Sequence, residues 1–183
     1  AREHGASLIL VARRADRLQA LAQDLERAHG VRCRVLPADM TRPDDVEKVF
    51  AQAIAIGDVQ AVILNAGITH FGQHAELGRG GLEQLIATNV GSVVRLTSLF
   101  VPYLQQKAQG GGVMIVGSMA GLLPVPYQAA YAGSKAFVAN FVQSLQQEIA
   151  GSGVTVTLFA PGGIDTAMTR DSGLRFFADT VFL

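Results

Sequence analysis

Five short apolar runs recur along this chain, and stretches with helical period separate them. The runs are SLILVA (7–12), VRCRVL (31–36), VQAVIL (59–64), GVMIVG (112–117) and VTVTLF (154–159). Most are nearly continuous in Val, Ile and Leu, the pattern of strands buried on both faces. In ADRLQALAQDLERAHG, residues Leu18, Leu21, Leu25 and Ala28 form one helical stripe, with Gly30 as its stop. In TRPDDVEKVFAQAI, Thr41 suits an N-cap and Pro43 the first turn, with Val46, Val49, Phe50 and Ala53 as the stripe. Residues 79–109 and 128–151 are the long helical candidates, and Gly110 to Gly112 divides the first from its strand. Strand–helix alternation implies right-handed crossovers and a parallel sheet covered on both faces. The expectation is one doubly wound, Rossmann-like α/β domain spanning residues 1–183.

Composition excludes several functions. Hydrophobic residues make up 49% and charged residues 16%, which argues for an extensive core. Fifteen basic residues balance fifteen acidic ones, so no basic footprint for nucleic acid or an anionic membrane is present. The single cysteine, Cys33, rules out an internal disulfide framework and reads as a structural thiol between Arg32 and Arg34. No uninterrupted apolar run approaches the ~18 residues of a membrane span. ASLILVA is followed by Arg13 and Arg14, the wrong flank for a signal peptide. A soluble, cytoplasmic protein is expected.

In sheets of this kind ligands bind beyond the carboxyl ends of the strands. The residues found there are Arg13 and Arg14, then Asp39 with Met40, then Asn65-Ala66-Gly67, then Ser118, then Pro161-Gly162. After the fourth loop comes YAGSKAF, in which Tyr131 and Lys135 are four apart and share a helix face. A phenol beside an ammonium, flanked by small residues, suits proton transfer. An amphipathic helix with a snorkelling lysine would give the same pattern. Ser118 lies in neither G-x-S-x-G nor S-x-x-K, so it is no hydrolase nucleophile. Asn89 falls mid-helix, where asparagine is a poor helix former and competes for backbone bonds. Arg13, Arg14 and Arg17 cluster at a helix start, where the dipole favours anions, and an anionic ligand would resolve the conflict. His70 and His74 are four apart but have no evident third ligand, so no metal site is expected.

Taken in order, NAG (65–67), the N-V-G around Asn89, Ser118, Y-x-x-x-K (131–135) and PGGIDT (161–166) resemble the short-chain dehydrogenase/reductase family, in its main single-domain branch. The resemblance implies an oxidoreductase interconverting a carbonyl and a secondary alcohol by hydride transfer. Tyr131 would be the general acid and base, and Lys135 would activate it and hold the nicotinamide ribose. An ammonium ~4 Å away at an effective dielectric near 20 favours a phenolate by about 4 kcal/mol, enough for a phenol to act near neutrality. Ser118 would orient the reacting oxygen, and Asn89 would help hold a water linking Lys135 to solvent. Arg13 and Arg14 would meet the 2′-phosphate of NADP(H), preferred over NAD(H), since Ala12 stands where NAD-dependent relatives tend to carry an acid. Asp39, with Met40 beside it, would meet the adenine. Asn65, Ala66 and Gly67 would let the backbone approach the cofactor, and Pro161, Gly162, Ile164 and Thr166 would line the nicotinamide side. Family members pair the helices corresponding to 79–109 and 128–151 as homodimers or homotetramers.

Other readings stay open: a nucleotide-sugar epimerase or dehydratase relative, and a non-catalytic nucleotide-binding remnant. Leu122, Leu123, Val125 and Tyr127, with Phe176 and Phe177, fit an apolar substrate pocket or ordinary core packing. The family's T-G-x-x-x-G-x-G turn and its last helix and strand have no counterpart here. The chain is therefore expected to be an incomplete copy that, alone, neither folds as a stable monomer nor binds NADP(H) tightly.

Overall fold

The structure, a computed structural model, describes residues 5–164 of the 183. Thr166, Phe176 and Phe177 lie outside the described residues. The fold is α/β with parallel strands, and the chain divides into two compact units, residues 1–58 and 59–183.

The first unit contains β1 (Leu8–Ala12), α1 (Ala15–His29), β2 (Cys33–Pro37) and α2 (Pro43–Ile56). β1 and β2 pair in parallel, Leu8 opposite Cys33 and Ala12 opposite Pro37. Gly30 ends α1 as expected: its φ of 64° is left-handed, and its N–H bonds the Glu26 carbonyl. The buried stripe of α1 runs through Leu18 and Ala22, whereas Leu21 is 47% exposed and Ala28 exposed, so the apolar face is rotated from the expected one. Thr41 does not cap α2. Arg42 is the N-cap, and the Thr41 hydroxyl and N–H both donate to Asp39 Oδ1, at 2.8 and 3.0 Å. Pro43 opens the helix, where its missing N–H costs nothing, and Val46, Val49 and Ala53 are buried. Cys33 is half-buried; desolvation and then the Glu26 carboxylate push its thiol up, consistent with an inert structural role.

The second unit carries β3 (Ala61–Leu64), α3 (Gly78–Ile86), α4 (Ser92–Gln105), β4 (Gly111–Val116), α5 (Ala129–Glu148) and β5 (Val154–Phe159). Its sheet order is β3-β4-β5, all parallel, with Leu64 opposite Ile115 and Val116 opposite Phe159. Residues of one parity, Leu64, Val113, Ile115 and Val156, are buried beneath the helices. On the other parity Ile63 is 62% and Phe159 50% exposed. Among the described residues of this unit, the buried sheet positions thus lie on one face, where α4 and α5 pack.

The helix expected over 79–109 begins earlier and is interrupted. A 3-10 turn (His74–Leu77) leads into α3, and a π-helical turn (Ala87–Gly91) joins α3 to α4, with Ser92 N–H bonding the Ala87 carbonyl. By length and composition the run 74–105 could cross a membrane, but half of its most apolar window is buried in the protein, as in a core helix. Leu85, Leu96, Phe100 and Leu104 carry that burial.

Candidate active site

In the second unit, parallel register brings the ends of β3, β4 and β5 to one edge, and the loops after them carry Asn65-Ala66-Gly67, Ser118 and Pro161-Gly162. Two of these loops are tied directly: Met119 N–H donates to the Pro161 carbonyl at 2.9 Å. Ser118 caps a short 3-10 turn (Met119–Gly121), its Oγ accepting from Ala120 N–H at 3.1 Å. Its own hydroxyl proton remains available to donate.

Asn89 sits at the middle of the π turn with no solvent exposure. Its Oδ1 accepts from Ile68 N–H at 2.9 Å, and its Nδ2 donates to the Ile68 carbonyl at 2.9 Å and to Ser134 Oγ at 3.0 Å. Ser134 Oγ donates in turn to the Tyr131 carbonyl at 2.6 Å. The amide thus pairs with a loop residue as a strand neighbour would, and stitches the segment after β3 to α5. Single π turns mark sites where a helix has been widened for such a role.

Lys135 lies on α5 one turn beyond Tyr131, as the spacing predicts, with only 6% of its surface exposed. Its Nζ donates to the Val116 carbonyl at the end of β4, at 2.8 Å, and lies 5.9 Å from the centre of the Tyr131 ring. Burial lowers the Lys135 pKa from 10.5 to about 8. The ammonium is therefore still the major form at neutral pH, with two N–H bonds beyond the one given to Val116.

Gly67 stands against both groups. A Cβ placed there would lie 3.5 Å from Asn89 Oδ1 and 3.6 Å from Lys135 Nζ, so the bare glycine leaves a small cradle in front of them. Gly121 matters differently: a Cβ there would come within 2.6 Å of the Lys135 backbone carbonyl, so only glycine lets the Ser118 turn rest on α5.

Three contributors escaped the sequence reading. Ser134 could have been noticed as the polar residue inside Y-A-G-S-K. The Ile68 and Val116 carbonyls carry no side-chain signal at all. His70 Nε2 lies 3.3 Å from the Gln73 carbonyl, and among the described residues no group of three or more potential ligands is placed to hold a metal.

Ile164, in the second unit, is 50% exposed, and Arg13, Arg14, Asp39 and Met40 belong to the first unit. Arg13 and Arg14 are exposed after β1, and Arg14 is the N-cap of α1 with no side-chain cap bond, leaving the helix's first N–H groups to other partners. Asp39 follows β2 with Met40 half-buried beside it. The Thr41 hydrogen bonds hold the Asp39 carboxyl below the usual range, with smaller help from Arg13 and Arg42, so it stays ionised.

A sequence model of the short chain dehydrogenase family matches residues 1–175. The chain belongs to that family. Sulfoacetaldehyde reductase of Chromohalobacter salexigens is 34% identical over 97% of this chain and 71% of its own length. The 17-beta-hydroxysteroid dehydrogenase type 3 of Mus musculus is 31% identical over 91% of this chain, which spans 55% of that protein. Among solved structures, a short-chain dehydrogenase from Sphingobium yanoikuyae in complex with NADPH superimposes with a TM-score of 0.87 at 32% identity, covering 94% of this chain and 67% of that one. The protein is thus an oxidoreductase-family chain with Rossmann-like fold neighbours that bind NADPH.

Proposed function

We propose that the protein reduces a carbonyl, or oxidises the matching secondary alcohol, with NADP(H) as the hydride carrier and Tyr131 as general acid and base. The observation that carries this reading is the buried Lys135 ammonium one turn from Tyr131, behind the Gly67 cradle. When bound, the nicotinamide supplies or accepts the hydride. The chain's own residues then handle orientation and the proton.

Ser118, with its oxygen already accepting from Ala120, donates to the substrate oxygen and fixes its position. Tyr131 delivers its phenolic proton to that oxygen during reduction and removes it during oxidation. Lys135 stabilises the phenolate this leaves behind, and its two remaining N–H bonds suit the ribose hydroxyls. Asn89 has both amide N–H bonds committed, so any water it holds toward Lys135 is accepted through Oδ1.

Cofactor choice rests on the first unit. Arg13 and Arg14, beside the uncapped start of α1, suit a 2′-phosphate, and Ala12 offers no carboxylate to repel it. Asp39 and Met40 would flank the adenine. The test is initial-rate NADPH and NADH oxidation by the full-length protein against a panel of aldehydes and ketones. The proposal expects turnover with a kcat/KM at least ~10-fold higher for NADPH; comparable values would remove the role given to Arg13, and no turnover with any carbonyl would sink the reaction.

A further inference from the structure

Tyr127 is the one described non-glycine residue with a positive φ, 63°. A bulky side chain avoids that left-handed region, where Cβ crowds the following carbonyl, so the conformation persists only where its surroundings impose it. Here the constraints are visible. The Tyr127 carbonyl accepts from Gly72 N–H at 2.9 Å, and Gln128, the buried N-cap of α5, donates from Nε2 to Thr69 Oγ1 at 3.3 Å. Both bonds tie the loop after β3 to the residues that launch the helix bearing Tyr131.

A strained backbone could have been avoided by glycine or asparagine. Instead the position holds an aromatic ring that is 60% exposed and contributes nothing to the buried core. Its neighbour is another half-open ring, Phe71, with centroids 6.0 Å apart at 49°. The turn after Ser118, which packs on α5, is followed by further apolar surface: Met119, Leu122 and Leu123 are 46%, 49% and 63% exposed. A costly conformation that displays apolar surface four residues before Tyr131, at the entry to its helix, is suited to recognition rather than to folding.

We propose that Tyr127 is a specificity-determining residue: with Phe71 it forms an aromatic wall that selects carbonyl compounds bearing a planar apolar group next to the carbonyl carbon. This rests on the carbonyl–alcohol reading above. Offset or edge contacts with an aryl group would be made by both rings, while a small dialkyl ketone would reach neither.

The experiment uses Tyr127→Asn, which tolerates the left-handed backbone but removes the ring, and Tyr127→Phe, which keeps the ring. In the unmodified protein acetophenone should have a higher kcat/KM than acetone, mainly through KM. Y127N should lower the acetophenone-to-acetone ratio by about tenfold, and Y127F should hold it within about twofold. Calorimetric titration with 1-phenylethanol and 2-propanol, which needs no turnover, should show the same change in the ratio of Kd values. A residue that merely braced the loop would alter melting temperature and shift both compounds together. An unchanged ratio in Y127N, in either measurement, overturns the proposal. Should no carbonyl be reduced while the Kd ratio falls, the reaction reading fails and Tyr127 keeps its place as a recognition residue.

Discussion

Replacing Lys135 with methionine should make the protein more stable and inactive at once. Folding lowers the lysine's pKa from 10.5 to about 8 by burial, which corresponds to roughly 3 kcal/mol against the charged form. The sign follows from proton counts. Below pH 8 the amine is charged in both states and the full cost is present. Between pH 8 and 10.5 the unfolded chain binds the proton and the folded one does not, so stability rises with pH. Above 10.5 both are neutral and the cost is gone. Methionine has similar length and no charge, but it leaves the Val116 carbonyl without the 2.8 Å bond, a loss of about 1–2 kcal/mol. The net expectation at pH 7 is a gain of about 1–2 kcal/mol. Denaturant unfolding followed by circular dichroism at pH 7, 8, 9 and 10.5 measures both proteins. The parent should gain about 3 kcal/mol relative to K135M across that range, reversing their order at the alkaline end. Parallel stability curves would refute the burial of the charge.

Asn89→Ala should destabilise by about 2–4 kcal/mol, because the amide has no exposed surface and its loss orphans both Ile68 backbone groups; a melting-temperature drop of under ~3 °C would speak against this. Gly121→Ala should cost about 1–3 kcal/mol and reduce kcat, since its Cβ would press on the Lys135 backbone and push the Ser118 turn away; chemical unfolding and initial rates check both parts.

Much of this was legible in the sequence because strand and helix periods are strong signals. All five apolar runs became strands, and the residues after them fell at the strand ends. Tyr131 and Lys135 met because helical geometry leaves four-residue spacing little freedom. What the sequence hid was tertiary. The rotated face of α1 depends on what packs against it, so Ala22 and Leu21 exchanged roles. Thr41 had two possible partners, and the Asp39 carboxylate outcompeted the helix N-terminus. The π turn at Asn89 arises from bonds to a residue 21 positions earlier, and no local pattern announces it. The positive φ of Tyr127 was equally silent, since its residue type argues against it.

The central claim is that Tyr131 carries the proton of a hydride-transfer reaction. The measurement is the single-turnover and steady-state rate of Tyr131→Phe in the full-length protein beside calorimetric NADPH affinity, since phenylalanine removes only the hydroxyl. General acid–base contributions of about 10² to 10⁴ predict a fall in turnover of at least ~100-fold, with cofactor Kd within about threefold of the parent. Turnover at the parent rate, with the same cofactor affinity, would contradict the account.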